Sequence, residues 1–104
     1  PLGEEQTISQ PSTVAFMLEL LQPQAGDIVL DLGSGSGWTT ALLAEIVGER
    51  GWVYGVELVP ELVRLGRNNL AIYGFDNAEI YQANSNILGL PDKAPFDKIG
   101  FSCW

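Results

Sequence analysis

VLDLGSGSG, residues 29–37, is the most informative stretch of this 104-residue chain. An apolar run ends at Asp31, and glycine then occupies every second position of residues 33–37, hereafter the glycine loop. Glycine is needed where a backbone turns sharply or approaches a ligand closely, because a Cβ atom would obstruct both. A strand that leads through such a loop into a helix forms a cradle for a nucleotide or cofactor, with backbone N–H groups facing the ligand.

The acid before the glycine loop narrows the class of ligand. A phosphate gains nothing from a carboxylate at Asp31, whereas a cofactor with a cationic amino group is attracted by it. The spacing is Gly-x-Gly-x-Gly, which differs from the Gly-x-Gly-x-x-Gly of dinucleotide-binding folds. Glycine turns between a strand and a helix are common, so the loop alone leaves a purely structural role open.

Two further features point to the same site. Glu57 ends the second predicted strand, where a carboxylate accepts hydrogen bonds from both hydroxyl groups of a ribose. Alone it is more typical of a solvated loop residue, but beside the glycine loop it indicates a ribose without a 2′-phosphate. The polar turn QTISQP (residues 6–11) opens the first predicted helix. Ser9 there is either an ordinary N-cap or part of a site for a carboxylate.

Composition and charge exclude several classes of protein. The length allows one domain, and 46% hydrophobic against 17% charged residues is a globular balance. Thirteen acids against five bases give a net charge of −8, which disfavours a nucleic-acid partner. One cysteine and no histidine exclude an internal disulfide and a zinc site of the usual ligands. No leader and no apolar run of roughly 18–20 residues is present, so we expect a cytoplasmic protein with no membrane partner.

The order of the predicted elements indicates a parallel, doubly wound α/β sheet. Helices are predicted over residues 10–21, 37–47 and 60–73, and strands over 28–32, 52–58, 79–82 and 96–101. The strand at 28–32 is a continuous apolar run, typical of a strand that is buried on both faces. Residues 84–95 show no helical periodicity and are predicted to form a loop.

Four stretches occur in the order seen in protein-L-isoaspartate O-methyltransferases. They are residues 1–11 (PLGEEQTISQP), 31–37 (DLGSGSG), 56–57 (VE) and 88–97 (LGLPDKAPFD). The chain resembles this family along essentially its whole length, as a short form that covers only the central half that binds S-adenosyl-L-methionine (SAM). The run TISQP separates this family from other SAM-dependent methyltransferases.

The resemblance implies a truncated Rossmann-like SAM-methyltransferase fold, with a mainly parallel four-stranded sheet in the order 3-2-1-4 and helices mostly on one face. It implies one domain over residues 1–104, with an N-terminal active-site turn and helix (1–22) and a βαβαββ core (28–104). SAM would be the cofactor and S-adenosyl-L-homocysteine the product. Asp31 and the glycine loop would hold the methionine part, and Glu57 the ribose.

The resemblance also implies roles for individual residues. Ser9 stands at the position of the family's active-site serine, beside the methyl donor, where the substrate carboxylate is bound. It is the candidate catalytic residue. The candidate cofactor-binding residues are Thr7, Ile8, Ser9, Asp31, Gly33, Ser34, Gly35, Ser36, Gly37, Glu57, Leu58, Asn84 and Ser85. No metal site is expected.

The chain departs from the family in two ways. After the third strand the family has Gly-Asp-Gly, whose Asp bonds the adenine amino group, and here the residues are Ala83-Asn84-Ser85. Loss of that charge costs on the order of 1 kcal/mol, or up to about tenfold in SAM affinity. Family members are also roughly twice as long. One sheet face and the edge of the fourth strand would therefore lack cover, which predicts a homodimer or other self-association.

Two functional hypotheses follow. The first is transfer of a methyl group from SAM to a carboxylate, in the family's case that of an isoaspartyl peptide or protein. The alternative is a SAM-binding module without isoaspartyl turnover, because the elements that shape the substrate groove are missing. A dinucleotide-binding domain is disfavoured by the glycine spacing and by Asp31.

Overall fold

Helices and strands alternate along the chain, as the sequence predicts. The computed structural model describes residues 11–83 and 95–101. Its elements are α1 (Pro11–Leu21), β1 (Ile28–Leu32), α2 (Trp38–Val47), β2 (Trp52–Glu57), α3 (Pro60–Ile72), β3 (Ala78–Gln82) and β4 (Lys98–Phe101). Pro60 occupies the first position of α3, where its missing N–H group and fixed φ do no harm.

The four strands form one parallel sheet in the order β3-β2-β1-β4. The central strand β1 pairs with β2 on one side and with β4 on the other. Val29 and Leu30, which point to opposite faces of the sheet, are both buried. The apolar run therefore behaves as a parallel strand at the centre of a sheet does.

All three helices pack against the same face of the sheet. One row of residues in register points toward them, namely Ile80, Gly55, Asp31 and Gly100. The Asp31 carboxylate bonds Thr40 of α2, and a Cβ atom on Gly100 would lie 3.2 Å from Met17 Sδ of α1. A Cβ atom on Gly66 of α3 would lie 2.5 Å from Ile80 Cδ1. The predicted strand order and the prediction of helices on one face are confirmed.

Two apolar clusters hold the helices on this face. The first joins β1 and β2 to α2 and comprises Val29, Leu43, Ala44, Val47 and Val53. The second lies under α3 and comprises Val63, Leu70 and Ile80. Full burial of such a side chain stabilises the fold by about 1.5–3 kcal/mol. The clusters hold α2 and α3 against the sheet, and both helices begin at its carboxyl edge.

The opposite face of the sheet is rich in aromatic side chains. Tyr54 lies at its centre, with ring centroids 6.1 Å from Trp52, 6.1 Å from Tyr81 and 6.0 Å from Phe96. Ile99 of β4 is 51% exposed on this face. Within residues 11–83 and 95–101, no helix packs against it.

The fourth strand begins at Lys98, two residues later than the sequence predicts. Phe96 is apolar, as a strand residue would be, but its ring packs edge-on against Tyr54. Asp97 forms two hydrogen bonds with Ile28, the first residue of β1. Its N–H group donates to the Ile28 carbonyl oxygen (2.8 Å), and its Oδ2 accepts from the Ile28 N–H group (2.7 Å). One backbone hydrogen bond between the two segments is therefore kept, and the Asp97 carboxylate takes the place of a backbone acceptor for the Ile28 N–H group.

Candidate cofactor-binding site

The glycine loop lies where β1 ends, in the middle of the sheet. Gly33, Gly35 and Gly37 all have positive φ values, of +73°, +57° and +88°. Residues with a Cβ atom rarely adopt this region, so the sequence pattern reflects the conformation that the loop takes. At Gly37 space is also restricted, because a Cβ atom there would lie 2.9 Å from Gly66 Cα.

Most N–H groups of the glycine loop are used inside the protein. Those of Gly33 and Ser34 donate to the Val56 carbonyl oxygen (2.7 and 3.0 Å), and that of Gly37 donates to the Ser34 carbonyl oxygen (3.0 Å). The Gly35 N–H group donates to Glu57 Oε1 (2.7 Å). The structure thus differs from the expectation that these groups face the ligand. A phosphate placed on this loop would have to displace internal hydrogen bonds.

Glu57 joins the glycine loop to the turn that begins α3. Besides the Gly35 contact, its Oε2 accepts from the N–H groups of Leu58 and Val59, each at 3.0 Å. The residue is only 8% exposed. A carboxylate offers about four acceptor positions, and the backbone takes three of them. The sequence predicts that Glu57 accepts hydrogen bonds from both ribose hydroxyls. For this, one of its three backbone hydrogen bonds would have to be replaced.

Asp31 is fully buried beneath the glycine loop. Its Oδ2 accepts a hydrogen bond from Thr40 Oγ1 at 2.7 Å, which ties β1 to the first turn of α2. In this geometry the carboxylate has no exposed surface. A direct contact between Asp31 and a cofactor amino group therefore stays a prediction, and the bond to Thr40 is what the structure shows.

The remaining predicted residues fall into two groups. Ser34 and Ser36 are buried, while the Leu58 side chain is 49% exposed next to Glu57. Leu58 is therefore placed where an apolar ring could lie against it. The other predicted residues, Thr7, Ile8, Ser9, Asn84 and Ser85, lie outside the described residues.

Sequence analysis missed two residues that contact the glycine loop from α3. Asn69 Nδ2 donates to the Ser36 carbonyl oxygen at 2.9 Å, and Gly66 abuts Gly37. For Gly66 a signal was available in the sequence. Glycine inside a helix lowers helix stability by about 1 kcal/mol relative to alanine, so its presence there suggests a need for close packing. Asn69 gave no signal, since it is one of two adjacent asparagines in a polar stretch.

Residues 11–83 and 95–101 contain neither a cluster of metal-ligating side chains nor a helix that could span a membrane. No group of three or more His, Cys, Asp or Glu side chains there could hold a metal ion. No helix in the same ranges is long and apolar enough to cross a bilayer.

The comparison with known families decides the assignment. The sequence model of the protein-L-isoaspartate(D-aspartate) O-methyltransferase family matches residues 1–103. The chain belongs to this family. A protein-L-isoaspartate O-methyltransferase of Methanococcoides burtonii is 48% identical over 99 residues, which cover 95% of this chain and 48% of that protein. The chain thus spans about half the length of this curated relative.

Solved structures support the methyltransferase fold. A protein-L-isoaspartate O-methyltransferase superposes with a TM-score of 0.83 at 30% identity, covering 89% of this chain and 29% of the other. An RNA methyltransferase of Salinibacter ruber, solved in complex with S-adenosyl-L-homocysteine, superposes with a TM-score of 0.63 at 31% identity. That alignment covers 73% of this chain and 49% of the other.

Proposed function

We propose that this chain binds SAM and transfers a methyl group from it to a carboxylate, that of an isoaspartyl peptide or protein. The observation that carries the proposal is the hydrogen bonding of the glycine loop. Four of its N–H groups, those of Gly33, Ser34, Gly35 and Gly37, already donate within the protein. This arrangement suits a ligand without phosphate, as SAM is, better than a dinucleotide.

The charge of the site supports the same ligand. Asp31 and Glu57 place two carboxylates beside the loop, and Glu57 keeps about one acceptor position free of the backbone. SAM carries an ammonium group, a sulfonium and a ribose with two free hydroxyls. Negative charge and hydrogen-bond acceptors are what these groups require.

The proposed chemistry needs little acid–base assistance. When bound, SAM would be held by the glycine loop and Glu57 and would supply a sulfonium-activated methyl group for a substrate carboxylate oxygen, with S-adenosyl-L-homocysteine as the leaving group. The substrate carboxylate is already ionised near neutral pH, so no proton has to be removed. The chain's residues have to orient the reactants and exclude water. We propose that Ser9 orients the substrate carboxylate by hydrogen bonding and does not act as a nucleophile.

Methyl transfer to an isoaspartyl peptide tests this function. Radiolabelled SAM is incubated with the peptide and the wild-type chain, and Ser9→Ala serves as the variant. We expect transfer by the wild type, and a loss of transfer of about 10-fold or more in the variant. Tight SAM binding without transfer would contradict the enzyme and favour the alternative, a SAM-binding module. Within residues 11–83 and 95–101 no helix packs on the face of the sheet that carries Tyr54, and this observation keeps the alternative open.

We propose further that a second copy of the chain covers the aromatic sheet face. Ile99 is half exposed there, and β4 pairs only with β1 among the described strands. Burial of apolar area stabilises association by about 25 cal/mol per Å². An open strand edge also offers backbone donors and acceptors to another strand.

A further inference from the structure

We infer that α3 sets the conformation of the glycine loop through Gly66 and Asn69, which makes both positioning residues for the cofactor site. The inference rests on the proposed function in so far as the loop holds SAM. Neither residue has to touch the ligand. They lie three positions apart and therefore on one side of α3, the side that meets the loop.

Asn69 fixes one peptide plane of the loop. Its Nδ2 donates to the Ser36 carbonyl oxygen at 2.9 Å, and this carbonyl belongs to the peptide bond that leads into Gly37. The N–H group of the same peptide donates to the Ser34 carbonyl oxygen at 3.0 Å. Both ends of the plane are therefore held. Such a restraint matters here, because glycine offers little steric resistance to rotation of its neighbouring peptide.

Gly66 brings the backbone of α3 into contact with the loop. A Cβ atom on Gly66 would lie 3.4 Å from Gly37 N and 3.5 Å from Gly35 O. Conversely, a Cβ atom on Gly37 would lie 2.9 Å from Gly66 Cα and 3.1 Å from Gly66 O. Two glycines thus meet where the helix passes the loop. A Cβ atom at Gly37 would push the two backbones apart, whereas one at Gly66 would reach van der Waals contact with the loop and collide with Ile80 Cδ1 at 2.5 Å.

The loop is held from a second direction by Glu57. This side chain binds the Gly35 N–H group at 2.7 Å and also accepts from Leu58 and Val59, at the start of α3. Two consecutive loop residues are therefore held from the two ends of α3. Glu57, just before the helix, binds Gly35, and Asn69, in the last turn of the helix, binds Ser36. A change in α3 should then alter cofactor affinity without altering any group that touches the cofactor.

The experiment compares Asn69→Ala with Asn68→Ala, which changes the exposed neighbour on α3. Asn69→Asp is a second variant that keeps the shape but replaces the donor by an acceptor. SAM affinity is measured by titration calorimetry, and the exchange rate of the Gly37 amide is measured in the chain without cofactor. Circular dichroism checks that each variant is folded.

We expect Asn69→Ala to weaken SAM binding by about 5- to 10-fold, since a hydrogen bond of this kind contributes about 1 kcal/mol. Gly37 amide exchange should accelerate in Asn69→Ala and Asn69→Asp and stay unchanged in Asn68→Ala. Equal affinity and equal exchange in all three variants would overturn the inference. If the wild type binds no SAM, the proposed function fails, and amide exchange alone still decides whether Asn69 positions the loop.

Discussion

Glu57 connects more of the site than any other single side chain described. Sequence reasoning assigns it to a ribose, and the structure adds that it accepts from three backbone N–H groups of two different turns. A buried carboxylate in such a position is worth more than a neutral acceptor, because hydrogen bonds to ionised groups contribute about 1.5–3 kcal/mol. The residue is thus expected to serve both the fold and the ligand.

Substitution Glu57→Gln tests this double role. Glutamine has the same shape but replaces one acceptor oxygen by an N–H₂ donor, which would face a backbone N–H group. We expect the free energy of unfolding to fall by about 1–3 kcal/mol and SAM affinity to fall by about 10-fold or more. Urea denaturation and calorimetry provide the two measurements. Glu61→Gln, in the exposed first turn of α3, is the control, and equal behaviour of both variants would disprove the assignment.

The helix α3 is the element that links the core to the site. It packs on Ile80 of β3 from one side and on the glycine loop from another. The helix accepts a glycine in its interior, which costs about 1 kcal/mol of helix propensity. Glycine is needed at position 66 because a Cβ atom there would lie 2.5 Å from Ile80 Cδ1, where α3 passes close to the glycine loop.

Substitution Gly66→Ala therefore has opposing effects on stability. Alanine improves helix propensity by about 1 kcal/mol, but its Cβ atom would lie 2.5 Å from Ile80 Cδ1. Overpacking of this kind costs about 1–3 kcal/mol, so we expect net destabilisation in urea. Ile80→Val removes the Cδ1 atom, and the double variant should be more stable than the sum of the two single changes predicts. Strict additivity, or a stabilised Gly66→Ala, would contradict the close approach.

Over residues 11–83 and 95–101 the two faces of the sheet differ, with helices on one face and aromatic side chains on the other. A monomer would leave Ile99 and the ring cluster around Tyr54 without helical cover in the described part of the chain. A net charge of −8 opposes association, so the contact would have to be apolar. This sheet face is where such a contact would form.

Light scattering coupled to size exclusion tests the association. The wild type should elute with twice the mass of one chain, and Ile99→Glu should elute as a monomer because a carboxylate would be buried in the interface. Ile72→Glu is the matched control: Ile72 is also exposed, at 66%, but it lies on α3 in the helical layer. A monomeric wild type, or equal loss of the dimer in both variants, would rule out the proposed interface.

Features that depend on neighbouring residues could be predicted from the sequence, and contacts between distant residues could not. Strand β1 and the three loop glycines were predictable, because a continuous apolar run and the need for positive φ both act locally. The bond from Asn69 to Ser36 spans 33 positions and leaves no mark on sequence pattern. The start of β4 was misplaced at Phe96 for a similar reason, since the Asp97 side chain accepts from the Ile28 N–H group, 69 positions away.

Calorimetric titration of the wild-type chain with SAM, S-adenosyl-L-homocysteine and NAD tests most directly what this site binds. The hydrogen-bonded glycine loop and Glu57 predict saturable binding of SAM and of its demethylated product, one molecule per chain. They predict no measurable binding of NAD, whose pyrophosphate would compete with the internal bonds of the loop. Binding of NAD more tightly than SAM, or no binding of SAM at all, would contradict the assignment of the site.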